Sequence, residues 1–380
     1  MGIVKEHDFI YTMKELDPVL RGNRDLDGYV IQGLDFSDVD IDWEKIKVGG
    51  AIFLGCVFSN KLDPMKLWEN GAHVVPRFDD IPYRPFRSNL YTWRELMEGY
   101  ESGGEKGLDH VIYTHFIEKG GYNPGIREAL TQRIHDHSID NALGEYLSYD
   151  EHNMIHKKAV GFMGGHKRHR GDDDYNKVVR TAWLAAREGY FVVSGGGPGI
   201  MEAANLGAYM ARYEEKDLEK AIAILAEATD FNKDEYITQA VKVLDKYPDG
   251  TANLAIPTWF YGQEPSNMFA SAIAKYFSNS IREDKLLAIC LYGIVYAVGS
   301  AGTTQEIFMD ATQNHYGTFG YYSPMVFLGK RRYREETSIF PLLKQLANGK
   351  LYEKMLHLTD SPDEVVRFIG ENPPIKVSDE

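Results

Sequence analysis

The second half of the chain alternates short apolar runs with longer amphipathic stretches. The runs AVGFMGG, YFVVSGGGPG, NLAIP, GIVYAV, PMVFLG and MLHLTD are rich in β-branched and other apolar residues. The stretches between them, among them DYNKVVRTAWLAAREG, IMEAANLGAYMAR and TTQEIFMDATQ, carry apolar residues at helical spacing. Short apolar strands that alternate with helices are typical of a parallel sheet covered on both faces. The pattern predicts a doubly wound, Rossmann-like α/β domain over residues 158–380, in which residues 266–289 form one long helix.

The first 157 residues follow no such regular pattern. GYVIQGLDF and VGGAIFLGCVF resemble strands, and a stretch with near-helical spacing begins at about Gly125. No internal repeat is evident. We therefore predict an α+β N-terminal extension over residues 1–157, with a role that the sequence does not indicate.

The charge balance narrows the classes of partner. A formal net charge of −14 and a pI of about 5.4 argue against a general nucleic-acid or membrane-surface binder. A small anionic ligand is still allowed, because a local cluster of backbone N–H groups can bind phosphate at any net charge. Cys56 and Cys290 lie in apolar runs, which favours buried thiols in a reducing compartment. The start, MGIVKEHDFIY, has no signal-peptide pattern, and the longest apolar run is too short to span a bilayer, so we expect a cytoplasmic protein.

Three of the predicted strands end in small residues. Glycines occupy positions 164–165 and 195–197, and the third turn reads Gly299, Ser300, Ala301, Gly302. Ligands of doubly wound sheets bind at the carboxyl ends of the strands. We expect these three turns to form the binding site.

The third turn has the chemistry of an anion site. Small residues let successive N–H groups point into one concavity, and the following helix adds its unpaired N–H groups and its positive dipole end. Thr303 and Thr304 add hydroxyl donors, so the turn is suited to a phosphate. Glu306 has two interpretations. It completes a capping box with Thr303, or it acts as a base or a ribose-hydroxyl acceptor beside a bound nucleotide.

The second turn, SGGGPGIM, does not fit the common cofactor fingerprints. Gly195 and Gly197 are followed by Ile200 where the dinucleotide motif requires its last glycine. No P-loop sequence occurs in the chain. The sequence therefore disfavours nicotinamide cofactors and nucleoside triphosphates, and no cofactor is expected.

The two motifs together resemble the Lonely Guy-like family of nucleotide phosphoribohydrolases, including the bacterial nucleotide 5′-monophosphate nucleosidases once labelled lysine decarboxylases. The family signature is G-G-G-x-x-G-[LIV]-M followed by P-G-G-x-G-T-x-x-E. The residues that match it are Gly195, Gly196, Gly197, Gly199, Met201, Gly299, Gly302, Thr303 and Glu306. Val298 and Ser300 depart from it, at the proline and the second glycine. The family also carries a catalytic arginine on the preceding helix, and Arg282 occupies that place about one residue out of register.

The resemblance implies hydrolysis of the N-glycosidic bond of a nucleoside 5′-monophosphate. It implies that residues 299–304 hold the phosphate, with Gly165 and His166 on the neighbouring turn. Glu306 would hold ribose hydroxyls or activate water, and Arg282 would position Glu306 and the phosphate. Relatives have sites near subunit interfaces, which implies a homodimer or a higher homo-oligomer.

Other candidate groups have competing interpretations. Residues 166–170, HKRHR, either clamp a phosphate or base, or form a solvated loop that pairs with the acidic residues 172–174. Trp259, Phe260 and Tyr261 either stack on a base or pack in the core or a dimer contact. His152 and His156 have i, i+4 spacing, but the pattern lacks the glutamate of a zinc protease. No metal is expected.

Three functions remain open on the sequence. The site hydrolyses a nucleotide, holds a nucleotide as a sensor without turnover, or transfers the ribosyl phosphate to an acceptor other than water. The retained Glu306 and Arg282 favour the first, and Val298 and Ser300 favour the second.

Overall fold

The computed structural model describes residues 8–60, 62–100, 107–147 and 157–377. Its strands are β1 (Asp8–Ile10), β2 (Tyr29–Gln32), β3 (Ile52–Leu54), β4 (His73–Val75), β5 (Ala159–Met163), β6 (Phe191–Ser194), β7 (Leu254–Ala255), β8 (Ala272–Ile273), β9 (Ile294–Tyr296), β10 (Tyr321–Tyr322), β11 (Met325–Leu328), β12 (Leu356–Thr359) and β13 (Ile375–Lys376). Its helices are α1 (Met13–Arg21), α2 (Pro64–Glu69), α3 (Trp93–Leu96), α4 (Leu108–Glu118), α5 (Ile126–Leu147), α6 (Asp173–Arg187), α7 (Ile200–Tyr209), α8 (Glu215–Ala226), α9 (Asp234–Lys246), α10 (Asn279–Ile289), α11 (Ala301–Tyr316), α12 (Ile339–Ala347) and α13 (Pro362–Glu371).

The chain forms two compact units. The larger unit contains Leu90–Pro124 and Leu143–Glu380, and the smaller unit contains Gly2–Asn89 and Gly125–Ala142. The predicted division into residues 1–157 and 158–380 stays a prediction. The larger unit takes up two segments from before position 158, namely α3 with α4 and the end of α5.

A seven-stranded parallel sheet is the centre of the larger unit. Its strand order is β12-β11-β9-β5-β6-β7-β8, and helices cover both sides of it. The predicted doubly wound α/β fold is confirmed. β5 lies in the middle of the sheet. The chain first adds β6, β7 and β8 on one side of β5, and it then adds β9, β11 and β12 on the other side. The point between β5 and β9, where the direction of winding reverses, is where this class of sheet opens a binding crevice.

The sequence of the central strands explains their place. Every residue of β5, β6, β9 and β11 is buried, which requires side chains that are apolar on both faces of the sheet. α6 and α7 pack on each other and on the sheet, and their apolar residues join one large core.

One predicted helix is wrong. Residues 266–289 do not form a single helix, because β8 pairs with β7 in parallel and α10 begins only at Asn279. The cause lies in burial. Residues 268–277 are buried at every position except Ser271, whereas a helix at the edge of the sheet would bury one face. The Asn267 side chain also accepts a hydrogen bond from the N–H of Phe269 and forms a turn there.

The smaller unit holds a four-stranded parallel sheet in the order β1-β2-β3-β4. Its register pairs Val30 with Ile52 and Ile52 with His73, so successive strands repeat after 22 and 21 residues. A glycine with positive φ precedes each of these residues by two positions: Gly28, Gly50 and Gly71. The statement that no internal repeat is evident is therefore wrong. The first two units also share a second glycine with positive φ, Gly33 and Gly55, and a phenylalanine three positions later, Phe36 and Phe58.

The sequence also gave expectations about the cysteines and about membrane-spanning segments. Cys56 and Cys290 are both buried and not in a disulfide, as predicted. Among the helices that the structure describes, none has the length and apolar content needed to cross a membrane.

Candidate nucleotide site

The three glycine-bearing turns follow strands that are neighbours in the sheet. β9, β5 and β6 lie side by side, so their turns meet at one edge. The N–H of Gly165 donates to the carbonyl oxygen of Val298 over 3.1 Å, which joins the turns after β5 and β9. The N–H of Ile200 donates to the carbonyl oxygen of Gly165 over 3.2 Å, which joins the turn after β6. We call the opening between these turns the switch-point crevice.

Gly199 is required for the turns to meet. It has a φ of 69°, and a Cβ there would lie 2.6 Å from the carbonyl oxygen of Gly165 and 2.7 Å from that of His166. Both the positive φ and the close approach exclude any larger residue. The predicted site residues Gly165, His166 and Gly199 are thus brought together.

The turn after β9 leads directly into α11. Ser300 is the residue before the first helical turn, and Ala301 and Gly302 begin the helix. All three residues are exposed, and they lie at the positive end of the helix dipole. Ser300 has a φ of −117°, so this position does not need the positive φ that favours glycine. This arrangement can hold a phosphate.

The two threonines of this turn have different surroundings. Thr303 is buried, and its hydroxyl lies so close to Gly299 that a Cβ there would overlap it. The hydroxyl of Thr304 donates to the carbonyl oxygen of Ser300 over 2.9 Å. Thr303 therefore faces the turn, whereas Thr304 closes the first turn of α11.

The capping-box interpretation of Glu306 is wrong. The helix begins at Ala301, three residues earlier than that interpretation requires, so Glu306 lies in the second turn of α11. Its Oε1 atom instead accepts a hydrogen bond from Nη1 of Arg282 over 3.4 Å. The predicted pair of catalytic residues is in contact.

Arg282 is fixed from several directions. It lies on α10, with only 7% of its side chain exposed, and its Nε donates to the carbonyl oxygen of Ile256 over 2.9 Å. Its Nη2 lies 3.0 Å from where a Cβ on Gly195 would stand, so the turn after β6 leaves room for the guanidinium. This contact places Arg282 between α11 and the turn after β6.

A second carboxylate, that of Glu283, also faces Arg282. Its Oε1 lies 3.8 Å from Nη1 of Arg282, and 5% of its side chain is exposed. Asn279 donates to Oε1 and Gln305 donates to Oε2, each over 2.8 Å. Sequence reasoning missed this residue, because charged side chains next to Arg282 on a helix ordinarily point to solvent.

The surroundings of Glu306 make its proton affinity unusual. Burial, with 14% of the side chain exposed, raises the pKa of Glu306 to about 7. The positive charge of Arg282 lowers the pKa, and the negative charge of Glu283 raises it. A carboxylate with this pKa can accept and return a proton near neutral pH.

Residues 195–201 shape the other side of the crevice. The N–H of Gly197 contacts the sulfur of Met201 over 3.4 Å, and Met201 also packs against Gly195. Gly196 packs against Pro257. A Cβ on Gly197 would overlap the carboxylate of Glu264, a further residue that sequence reasoning missed. Glu264 follows β7, which does not end in glycines, whereas glycines at strand ends were the feature from which the site was predicted.

The basic segment 166–170 mostly follows the solvated-loop interpretation. Arg168 pairs with Asp174 over 3.4 Å at the surface, and the N–H of His169 donates to Asp172 over 3.0 Å. Arg170 instead is buried and pairs with Glu202 through two nitrogens.

Glu202 is the centre of a buried polar cluster. It also accepts hydrogen bonds from the hydroxyls of Tyr175 and Tyr236, over 3.0 and 2.8 Å. Arg170, which pairs with it, is therefore a structural residue and is not available to a ligand.

The aromatic residues after β7 divide between core and surface. Trp259 is buried, stacks near Phe277 and donates from Nε1 to Asp109 over 2.7 Å, so it belongs to the core. Phe260 and Tyr261 are exposed, and the hydroxyl of Tyr261 accepts a hydrogen bond from Asn279 over 2.9 Å. The structure therefore rules out base stacking by Trp259, which is buried, and leaves it open for Phe260 and Tyr261, which are exposed.

Metal ligands were not expected. Within residues 8–60, 62–100, 107–147 and 157–377, no group of three or more His, Cys, Asp or Glu side chains could hold an ion. His152 and His156 lie outside the described residues.

Comparison with known proteins gives remote likenesses of structure. No protein-family model and no curated protein matches the chain. The chain is similar to the molybdenum cofactor binding protein of Rippkaea orientalis, at 14% identity over 57% of this chain and 98% of that one, with a TM-score of 0.37. It is also similar to the molybdenum cofactor carrier protein of Chlamydomonas reinhardtii, at 14% identity over 57% and 97% of the chains, with a TM-score of 0.36. The fold of the larger unit is the Rossmann-like α/β fold that the sequence predicts.

Proposed function

We propose that this protein hydrolyses the N-glycosidic bond of a nucleoside 5′-monophosphate, releasing the free base and ribose 5-phosphate. The observation that carries the proposal is the contact between Arg282 and Glu306 beside an open anion site at the start of α11. An anion site next to a carboxylate suits a substrate with a phosphate at one end and a developing positive charge at the other.

The phosphate would bind the N–H groups of residues 299–303. Glu306 lies five residues beyond Ala301, which is about 8 Å along the helix axis. A bound nucleotide would span this distance with its ribose. The glycosidic carbon would then lie near the Glu306 carboxylate, while the phosphate remains at the helix start.

The reaction needs only groups that the chain supplies. Glu306 accepts a proton from water as the water oxygen forms a bond to C1′ of the ribose. The C1′–N bond breaks, and its electron pair leaves with the base, which is then protonated from Glu306 or solvent. The transition state carries positive charge on the ribose, so a fixed carboxylate stabilises it more than the ground state.

Arg282 would position Glu306 and neutralise part of the negative charge in the crevice. Two carboxylates beside a phosphate would repel it, and Arg282 contacts both of them. We further propose that the protein acts in the cytoplasm, as a homo-oligomer, and without a cofactor.

A panel of substrates tests the proposal. The purified protein is incubated separately with AMP, GMP, IMP, CMP and UMP, and base and ribose 5-phosphate are quantified by chromatography. Equal amounts of the two products support hydrolysis. Free base without free ribose 5-phosphate would instead indicate transfer to another acceptor.

The second candidate function is nucleotide binding without turnover. Val298 and Ser300, which replace the proline and second glycine of the family motif, favour it. It predicts no free base from any nucleotide, together with thermal stabilisation by one of them. The molybdenum cofactor, which the named neighbours bind, is a further ligand to include in that thermal assay.

A further inference from the structure

A cavity opens beside the turn after β6, in the larger unit. Its volume is about 280 Å³. Apolar side chains form part of its wall, including Leu96, Met97, Phe231 and Ile237. Glu264, which lies against Gly197, lines the cavity and also a smaller recess that reaches Gly196 and Lys275. Glu264 therefore stands between the cavity and the recess, and the recess reaches the turn that contacts Arg282.

The carboxylate of Glu264 lacks a protein partner. Among the residues that the structure describes, no side chain or backbone group forms a hydrogen bond or ion pair with it. His166, Lys275 and Arg282 all act on it electrostatically, and burial still raises the pKa of Glu264. A partly buried carboxylate that makes no hydrogen bond within the protein keeps both oxygens available to a ligand with suitable donors.

The neighbouring cations are already engaged. Lys275 donates to both oxygens of Asp109, over 2.7 and 2.9 Å, and Arg282 contacts Glu306. Asp109 and Asp234 also line the cavity, and Asp234 accepts a hydrogen bond from the hydroxyl of Tyr100 over 2.5 Å. Glu264 thus differs from the acids around it, because its oxygens are left for a ligand.

We propose that this cavity holds the base of the nucleotide and that Glu264 selects guanine. The proposal rests on the proposed function. Guanine presents two neighbouring donors, N1–H and the 2-amino group, which match the two oxygens of an ionised carboxylate. Hypoxanthine presents the first donor only. Adenine places the N1 lone pair beside its amino group, and this lone pair would face a carboxylate oxygen.

The lining of the cavity combines apolar side chains with polar groups. Pockets for small molecules commonly combine apolar walls with a few polar groups that fix orientation. Leu96, Phe231 and Ile237 supply apolar surface for the faces of a ring, and Glu264 with Ser266 supplies polar groups for its edge.

Kinetics with three nucleotides test the assignment. We measure kcat/KM for GMP, IMP and AMP in the wild type, in Glu264→Gln and in the control Glu215→Gln, at a surface carboxylate that pairs with Arg180 outside the cavity. We expect the order GMP, IMP, AMP in the wild type. Glu264→Gln should lower kcat/KM for GMP by about 10- to 100-fold and change it little for AMP. Glu215→Gln should keep the wild-type order.

Equal losses for all three nucleotides, or a wild-type preference for AMP, would overturn the assignment. If Glu264→Gln fails to fold, Glu264→Asp takes its place, because the shorter side chain keeps the charge and withdraws the oxygens.

Binding measurements separate this proposal from the proposed function. The Kd values of GMP, AMP and ribose 5-phosphate are measured by calorimetry for the wild type and for the Glu264→Gln variant. We expect weaker binding of GMP alone, since ribose 5-phosphate has no base. If no nucleotide is hydrolysed, the proposed function fails, and the GMP and AMP affinities still decide the role of Glu264. If nucleotides are hydrolysed without discrimination, the assignment of Glu264 alone fails.

Discussion

Nη1 of Arg282 lies 3.4 Å from Oε1 of Glu306 and 3.8 Å from Oε1 of Glu283, so one guanidinium faces two carboxylates. The two acids have different surroundings. Glu283 is held by Asn279 and Gln305, whereas Glu306 contacts Arg282 and is the more exposed of the two. This difference suits Glu306 for proton transfer and Glu283 for setting the local charge.

Glu283→Gln should move the pH dependence of the reaction. A general base must be ionised, so the rate rises with pH through the pKa of Glu306, near 7. Removing the negative charge of Glu283 lowers that pKa, and the acid limb of the kcat profile moves to lower pH. A profile that stays in place would show that Glu283 does not act on Glu306.

A pH profile with a midpoint near 7 does not by itself identify Glu306, so the shift of that midpoint in Glu283→Gln is the informative quantity. Asp310, one turn further along α11, also has a pKa raised to about 7 by burial, and it bonds to Tyr296 and Asn314 in the core. Asp310→Asn serves as the control, and it should leave the acid limb of any active protein unmoved.

Arg282→Gln should move the profile in the opposite direction. The positive charge of Arg282 lowers the pKa of Glu306, so its loss raises that pKa and carries the acid limb to higher pH. The phosphate also loses a nearby cation, so KM should rise. Lys in place of Gln restores the charge, and we expect Arg282→Lys to recover part of both changes. Equal profiles for the Gln and Lys variants would contradict an electrostatic role.

Gly199→Ala should destabilise the larger unit and abolish ligand binding. A Cβ there meets two backbone carbonyl oxygens at 2.6 and 2.7 Å, in addition to the strain of a positive φ. The matched control is Gly189→Ala, where φ is 84° and no atom lies within 4 Å of the added Cβ. We expect about 1–2 kcal/mol for the control from φ alone, and more for Gly199→Ala, by denaturant unfolding. Equal costs would show that the approach of the two turns is not tight.

Arg170→Met should destabilise the fold by about 3–5 kcal/mol, because it leaves the buried charge of Glu202 without its partner. Arg168→Ala, in the same loop, breaks a surface pair with Asp174 and should cost less than about 1 kcal/mol. Chemical denaturation of both variants measures the difference. Similar values would mean that the cluster around Glu202 relaxes or admits water.

The regular part of the fold could be predicted because its strands are buried on both faces. Such strands read as continuous apolar runs, and amphipathic helices such as α6 and α13 separate them. Residues 266–289 could not be assigned in this way, since a fully buried segment shows no periodicity that separates a strand from a helix. The repeat in the smaller unit was missed because only a few positions recur in units of 21 and 22 residues, chiefly the turn glycines and, in the first two units, Phe36 and Phe58.

The sequence marked the candidate site by its glycines, and the family resemblance added Arg282 and Glu306. The turns after β5, β6 and β9 are recognisable because close backbone approach demands small residues. Glu283 and Glu264 carry no such mark. Their roles depend on which side of α10 faces α11 and on how the loop after β7 folds back over Gly197, and both are set by packing distant in sequence.

The most direct test of the account compares the wild type with Glu306→Gln on the nucleotide that the panel shows to be hydrolysed fastest. We expect the rate to fall by about 10²–10⁴-fold, as for loss of a general base, while the nucleotide still binds. The variant should fold, and at pH 8 it should be more stable than the wild type, because a buried carboxylate that resists ionisation is replaced by a neutral amide. Unchanged turnover in a folded Glu306→Gln protein would contradict the account.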